Sequence, residues 1–201
     1  MSRVFLVFAS ALVALMAGAL FYAARIPVKA PPPVQQIEQP KALDVVTHPS
    51  FKLPDVSGTY HELTEWDGKN RILNFWATWC APCRREIPLL KEFQDEQGAN
   101  GFQVIGIAVD FPEPVAHYAE AAEFNYPILV GEQDAMAVAE SSGIEFVGLP
   151  FTMFIAADGE LLGAYIGELH PLHLDTVVHV MTRLDRDEIS AADARTALEE
   201  L

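Results

Sequence analysis

The chain contains very little cysteine: only Cys80 and Cys83 among its 201 residues carry a thiol. A structural zinc site takes four ligands, so two thiols supply only half of one. A disulfide across so short a loop restricts the unfolded chain little, and a chain of this length buries enough apolar surface to fold without cross-links. The scarcity of cysteine therefore argues against a structural metal or disulfide scaffold and indicates that the pair performs chemistry.

Basic residues are also scarce. The sequence has 13 Lys and Arg residues against 28 Asp and Glu residues, which gives a formal net charge of −15, and neither Lys nor Arg occurs between Lys91 and Arg183. Binding to the phosphates of a nucleic acid needs a basic face, so a nucleic-acid partner is excluded. The acidic surface is consistent either with simple solvation or with electrostatic attraction of basic partner proteins.

One long uncharged and apolar run is present, at residues 4–24 between Arg3 and Arg25. A helix of this length reaches across a bilayer core of ~30 Å. The apolar region of a signal peptide is usually shorter, at ~7–15 residues. We therefore expect residues 1–25 to form an N-terminal membrane anchor with one transmembrane helix, with a cleaved signal as the alternative.

The rest of the chain divides by composition. Residues 26–50 hold six prolines and few large apolar residues, which predicts an extended, semi-rigid stalk. Residues 51–186 have the composition of a globular domain, and residues 187–201 are expected to form a C-terminal helical tail.

Within the globular part, candidate strands alternate with candidate helices. We predict a β-hairpin within 51–66, strands at 71–77, 102–109, 127–130, 151–156 and 161–166, and helices at 81–97, 114–124, 134–141, 171–184 and 191–201. This order is typical of an α/β sheet that helices cover on both faces.

The two cysteines lie in the segment N-F-W-A-T-W-C-A-P-C-R-R-E-I-P at residues 74–88, where a predicted strand runs into a predicted helix. Thiol–disulfide exchange needs a thiolate that attacks and a second thiol within reach. The N-terminus of a helix stabilises a thiolate and lowers the pKa of a cysteine there. The spacing therefore indicates that Cys80 attacks and that Cys83, one turn later, resolves the mixed disulfide.

This segment resembles the active site of the thioredoxin superfamily, and in particular of its membrane-anchored TlpA/ResA-like branch. The residues that carry the resemblance are Phe75, Trp76, Ala77, Trp79, Cys80, Pro82, Cys83 and Pro88. The resemblance covers residues 51–184, of which 101–143 are similar to the strand–helix insertion of that branch. It implies a thioredoxin-like central mixed sheet with flanking helices, and a redox-active Cys80–Cys83 disulfide in place of any bound cofactor.

The resemblance also implies which residues bind substrate. Trp79 and Pro82 lie beside the thiols in the sequence, and Pro150 occupies the place at which the family carries a cis-proline. The residue before that proline, here Leu149, offers its backbone to an extended substrate peptide in the family. The family commonly has Thr after this proline, whereas this chain has Phe151.

Glu86 is the candidate proton carrier. It follows Cys83 by three residues and so shares a helix face with it. In ResA-like proteins an acid at this position helps to move protons, while thioredoxins use an Asp on the preceding strand, where this chain has Asn74. The alternative is that Glu86 is an exposed first-turn acid that interacts favourably with the helix dipole.

The function implied by the resemblance is thiol–disulfide exchange with exported proteins, in the direction of reduction, for example in cytochrome c maturation. The implied partners are disulfide-bearing exported clients, apocytochrome c among them, a transmembrane electron donor, and the membrane itself through residues 4–24. Such chemistry places the catalytic domain on the periplasmic or extracytoplasmic side of the inner membrane.

Two other classes of function remain open. A metal-binding chaperone for cuproprotein assembly would use Cys80, Cys83 and a histidine, with His170 and His173 as candidates, although copper-delivering relatives space their cysteines one residue further apart. A peroxidase would need a Thr three residues before its reactive cysteine, whereas Thr78 precedes Cys80 by two. Because the spacing of the cysteines differs from that in the copper-delivering relatives, we predict that none of these residues is a metal ligand.

Overall fold

A computed structural model describes residues 50–144 and 146–201. The predicted anchor, residues 1–25, and all but the last residue of the predicted stalk lie outside the described residues. No helix among the described residues is both long enough and apolar enough to cross a membrane.

The elements follow the predicted order. They are β1 (Lys52–Pro54), β2 (Tyr60–Glu62), β3 (Asn70–Trp76), α1 (Ala81–Gln97), β4 (Phe102–Val109), α2 (Pro112–Ala122), β5 (Ile128–Gly131), α3 (Gln133–Ser141), β6 (Phe151–Ile155), β7 (Leu161–Ile166), α4 (Pro171–Asp185) and α5 (Ala191–Glu199). The predicted bounds are confirmed to within about two residues, the usual precision of helix and strand ends. Helix α2 begins earlier than predicted because Pro112 fits the first helical turn, where its missing N–H has no intrahelical partner to lose.

Five strands form the central sheet in the order β5-β4-β3-β6-β7. Strands β3, β4 and β5 are parallel, while β6 pairs antiparallel with both β3 and β7. The predicted thioredoxin-like mixed sheet is therefore confirmed. Every residue of β3 is buried, as expected for a central strand that is covered on both faces.

Side chains of β3 alternate between two cores. Ile72 and Trp76 pack with residues of helices α1 and α4 on one face, whereas Leu73 and Phe75 pack with residues of α3 on the other. This alternation is the period of two that any strand imposes on its side chains. Helix α1, and with it Cys83, therefore lies on the same face of the sheet as Trp76.

The register of the sheet brings three chain segments to one of its ends. Phe75 of β3 pairs with Phe151 of β6 in antiparallel register, and Trp76 pairs with Ala108 of β4 in parallel register. The segments after β3, after β4 and before β6 consequently meet at the same end of the sheet. This end carries Cys80.

Both outer strands of the central sheet contact other parts of the chain. At β5, Asp55 forms an isolated antiparallel bridge with Leu129. At β7, helix α5 packs so closely that a Cβ added to Gly163 would lie 3.6 Å from the Cβ of Leu198. Ala194 and Leu198 of α5 are buried in the core, so the helix predicted as a C-terminal tail packs on the domain.

Candidate active site

Cys80 and Cys83 form a disulfide at the N-terminus of α1, with their Cα atoms 5.3 Å apart. Cys80 is the N-cap residue, and its Sγ accepts a hydrogen bond from the backbone N–H of Cys83 at 3.3 Å. Cys83 is fully buried, whereas Cys80 is 5% exposed. Cys80 is therefore the sulfur that a partner can reach, and the helix terminus stabilises the thiolate that reduction would leave there.

Glu86 is buried on the same helix, at 1% exposure. Its Oε1 accepts a hydrogen bond from Asn74 Nδ2 at 2.8 Å, and its Oε2 accepts one from the backbone N–H of Leu169 at 2.6 Å. Burial raises the pKa of Glu86 to about 7, with a smaller contribution from the charge of Glu168, although the two hydrogen bonds oppose the shift. The alternative in which Glu86 is an exposed first-turn acid is therefore wrong.

Asn74 links Glu86 to the sheet. Its side-chain amide donates both to Glu86 and to Thr152 Oγ1, at 3.1 Å, on the neighbouring strand β6. Its Oδ1 is buried and has no hydrogen-bond partner among residues 50–144 and 146–201.

The loop between β7 and α4 is attached to α1 at two adjacent residues. Glu168 accepts hydrogen bonds from the Nε of Arg85 at 3.1 Å and from its Nη2 at 2.5 Å, and Leu169 donates to Glu86 as described above. The Arg85 guanidinium lowers the pKa of Glu168. Two adjacent residues of this loop, Glu168 and Leu169, thus bind two adjacent residues of α1, Arg85 and Glu86.

Pro150 lies at the same end of the sheet as the disulfide. The Leu149–Pro150 peptide is cis, as the resemblance implied, and the Pro150 carbonyl accepts a hydrogen bond from the N–H of Gly167 at 2.9 Å. Phe151, which stands where the family commonly has Thr, is fully buried, with its ring centroid 5.2 Å from that of Phe75. The contact of Leu149 with a substrate peptide stays a prediction.

Four large apolar side chains are exposed around this end of the sheet. They are Trp79, Phe111, Val147 and Ile166, each more than half exposed. Trp79 and Phe111 follow the parallel strands β3 and β4, Val147 precedes β6, and Ile166 ends the antiparallel strand β7. We call this set the apolar rim. Exposed apolar groups gathered in one region are typical of an interaction site.

Asp110, which no motif in the sequence marks, connects two of these segments. It is 7% exposed and follows β4. Its Oδ2 accepts hydrogen bonds from the backbone N–H and the hydroxyl of Thr78, at 2.9 and 2.5 Å, and its Oδ1 accepts one from the N–H of Phe111 at 2.8 Å. The feature of the sequence that could have identified Asp110 is its place directly after a predicted central strand, at the end of the sheet where the cysteines lie.

The two candidate metal-binding histidines lie at the start of α4. His170 is the N-cap residue, and its N–H donates to Nδ1 of His173 at 3.3 Å, while the ring of His173 packs 4.6 Å from that of Tyr165. Across residues 50–144 and 146–201, no group of three or more His, Cys, Asp or Glu side chains is arranged to hold a metal ion.

Comparison with known sequences gives a consistent result. The model of the AhpC/TSA family matches residues 46–164, more than half of the chain. The chain is 35% identical over 116 residues to the thiol-disulfide oxidoreductase ResA of Geobacillus kaustophilus, a match that covers 57% of this chain and 64% of that protein. It is 30% identical over 121 residues to ResA of Bacillus cereus, covering 60% and 68%. The match thus spans slightly under two thirds of the Geobacillus relative.

Solved structures resemble the domain over most of their length. A thiol:disulfide interchange protein of the thioredoxin family from Chlorobium tepidum superposes with a TM-score of 0.61 at 28% identity, covering 68% of this chain and 96% of that one. A putative thioredoxin from Neisseria meningitidis gives a TM-score of 0.60 at 26% identity, covering 70% and 92%.

Proposed function

Since this chain belongs to the AhpC/TSA family and is a ResA-like member of it, we propose that it is a thiol–disulfide oxidoreductase that acts through Cys80 and Cys83. The observation that carries the proposal is the disulfide at the N-terminus of α1, in which Cys80 keeps 5% exposure and Cys83 has none. This asymmetry separates an attacking sulfur from a resolving one.

The reaction in the reducing direction has two steps. The Cys80 thiolate attacks one sulfur of a client disulfide, so that the client bond breaks, a Cys80–client disulfide forms, and the released client sulfur takes up a proton. Cys83 then loses its proton and attacks the Cys80 sulfur, which forms the Cys80–Cys83 disulfide and releases the second client sulfur, again to be protonated. Two electrons pass to the client, and a dithiol donor must return them.

Glu86 is proposed to accept the proton of Cys83 in the second step. Both residues are buried on one face of α1, where bulk water does not reach the thiol. A group whose pKa lies near the working pH is the best general base, and burial gives Glu86 a pKa of about 7. The carboxyl then returns the proton to solvent or to the released client sulfur.

The surroundings of this reaction are proposed from the family resemblance. The clients are disulfide-bearing exported proteins, apocytochrome c among them, and the electron donor is a dithiol protein of the membrane. Residues 4–24 hold the chain in the inner membrane as a single-pass anchor, with the domain on the periplasmic or extracytoplasmic side. The apolar rim around Cys80 supports a polypeptide as the client, because a small thiol would not need it.

The reduction potential of the full chain tests this proposal. Tryptophan fluorescence is followed across a series of thiol/disulfide redox buffers, glutathione at the oxidising end and dithiothreitol at the reducing end, with a Cys80→Ser variant as the control that has no titrating pair. A two-electron transition near or below about −250 mV supports a reductase. A value near about −120 mV, typical of strong oxidants, reverses the direction. The absence of any reversible transition contradicts thiol–disulfide exchange altogether.

A further inference from the structure

Among residues 50–144 and 146–201, the side chain of Asp110 accepts hydrogen bonds from Thr78, two residues before Cys80, and from Phe111, the next residue along the chain. Three donors converge on its carboxyl group, two from Thr78 and one from Phe111. Within the described part of the chain, no Lys, Arg or His forms a salt bridge with it. A buried carboxyl group without a cationic partner depends on such donors, because burying it unpaired is costly.

The two segments carry the exposed aromatic residues of the apolar rim. Thr78 lies between the end of β3 and Trp79, which is 68% exposed. Phe111 is 60% exposed and is the N-cap residue of α2, with its own N–H donated to Asp110. The carboxyl group of Asp110 therefore ties together the backbones from which both aromatic side chains project.

We propose that Asp110 is a positioning residue for client recognition, an inference that rests on the proposed thiol–disulfide exchange. By holding Thr78 and Phe111, it fixes Trp79 and the Phe111 ring on the rim beside Cys80. The client that fits is a polypeptide with large apolar side chains next to its cysteines, because two fixed aromatic side chains bury apolar surface at little cost in conformational entropy. None of these three hydrogen bonds involves a sulfur, so we expect the exchange reaction itself to be independent of Asp110.

Matched variants of the full chain test the proposal on two substrates. One is a short peptide with an internal disulfide flanked by Leu and Phe, and the other is oxidised glutathione. Asp110→Asn and Thr78→Val are expected to lower kcat/KM for the peptide about tenfold, through KM, since each leaves a buried group without its partner. Oxidised glutathione should be reduced within about twofold of the wild-type rate, because so small a disulfide has little surface for aromatic contact.

Thr78→Ser is the matched control, because it keeps the hydroxyl that donates to Asp110 and should retain wild-type rates. A peptide whose Leu and Phe residues are replaced by Gly should lose the difference between the variants. Equal losses on both substrates would show that Asp110 supports Cys80 itself, and no loss on either would show that it positions nothing. Either result overturns the inference.

Two further measurements separate the possible failures. Hydrogen exchange at the Thr78 amide, read by NMR, should be slow in the wild type and fast in Asp110→Ala, which removes both acceptor oxygens, and equal rates would overturn the proposed role of this contact without any assay of activity. If Asp110→Asn does not fold, the comparison of Thr78→Val with Thr78→Ser decides alone. A wild-type chain that reduces neither substrate contradicts the proposed function, and the recognition role fails with it.

Discussion

Asn74 on β3 donates a hydrogen bond to the buried carboxyl group of Glu86 on α1, 2.8 Å away. With the N–H of Leu169 on the other oxygen, both oxygens of the carboxyl group accept from N–H groups, which favours its ionised form. Burial outweighs these two bonds and raises the pKa of Glu86 to about 7. Glu86 therefore changes its charge in the pH range in which thiols exchange with disulfides.

The first prediction concerns stability against pH. The folded-state pKa of Glu86 lies above its unfolded value of 4.5, so folding takes up a proton between these two values. The contribution of protonated Glu86 to the free energy of unfolding is fully present below pH 4.5. It is lost as the pH rises through 7, by about 3 kcal/mol in total. Glu86→Gln should remove this loss and make the oxidised protein more stable than the wild type at pH 8.

Guanidinium unfolding of the oxidised protein at pH 5 and pH 8 measures the effect. Glu92→Gln is the control, because Glu92 is exposed on the same helix and should leave the pH dependence unchanged. If the free energies of unfolding of wild type and Glu86→Gln differ by the same amount at both pH values, Glu86 does not titrate with a raised pKa.

The second prediction concerns the rate of the resolving step. If Glu86 accepts the proton of Cys83, Glu86→Gln should slow the release of a client from a preformed mixed disulfide about a hundredfold at pH 7. The rate should recover at high pH, where the Cys83 thiol ionises without a base. Stopped-flow measurements between pH 5 and 9 give the profile. An unchanged profile would restrict Glu86 to a structural role.

The third prediction assigns the two sulfurs. Because Cys80 keeps some exposed surface and Cys83 has none, Cys83→Ser should accumulate a mixed disulfide with a client peptide, whereas Cys80→Ser should form none and be inactive. Non-reducing gel electrophoresis and mass spectrometry identify the adduct. Accumulation by the Cys80→Ser variant instead would mean that the roles are reversed.

The fourth prediction concerns the C-terminal helix. Leu198 is 1% exposed and packs against β7, so Leu198→Ala should lower the free energy of unfolding by about 2–5 kcal/mol. Leu172→Ala, at a residue that is 72% exposed, should change it by less than about 0.5 kcal/mol. Denaturant unfolding compares the two variants. Equal effects would show that α5 adds nothing to the stability of the domain.

The elements of the fold were predictable because each depends on a local pattern. Strand β3 is a short apolar run and α1 has helical spacing, and both can be recognised within one window of the sequence. The role expected of Cys80 and Cys83 depends equally on local features, since only two residues separate them and a helix begins at the first. The cis bond before Pro150 was implied by resemblance alone.

The burial of Glu86 and the contacts of Asp110 were not predictable in the same way. Glu86 accepts its shortest hydrogen bond from Leu169, 83 residues further along the chain, and Asp110 bonds to Thr78 across 32 residues. Such pairs follow from the order and register of the strands, which no single window contains. An acid at a helix start has the same appearance in sequence whether it is exposed or buried.

The contacts at the two outer strands of the sheet, Asp55 at β5 and α5 at β7, have a consequence for a protein whose proposed clients are other polypeptide chains. An unfolded chain brings strand-forming segments that can add to any open sheet edge, which is how edge-to-edge aggregation begins. Here a bridge from Asp55 occupies one edge and a packed helix lies against the other. Contacts at both outer strands disfavour the addition of a client strand there, and the end of the sheet that carries Cys80 is left as the proposed place for a client.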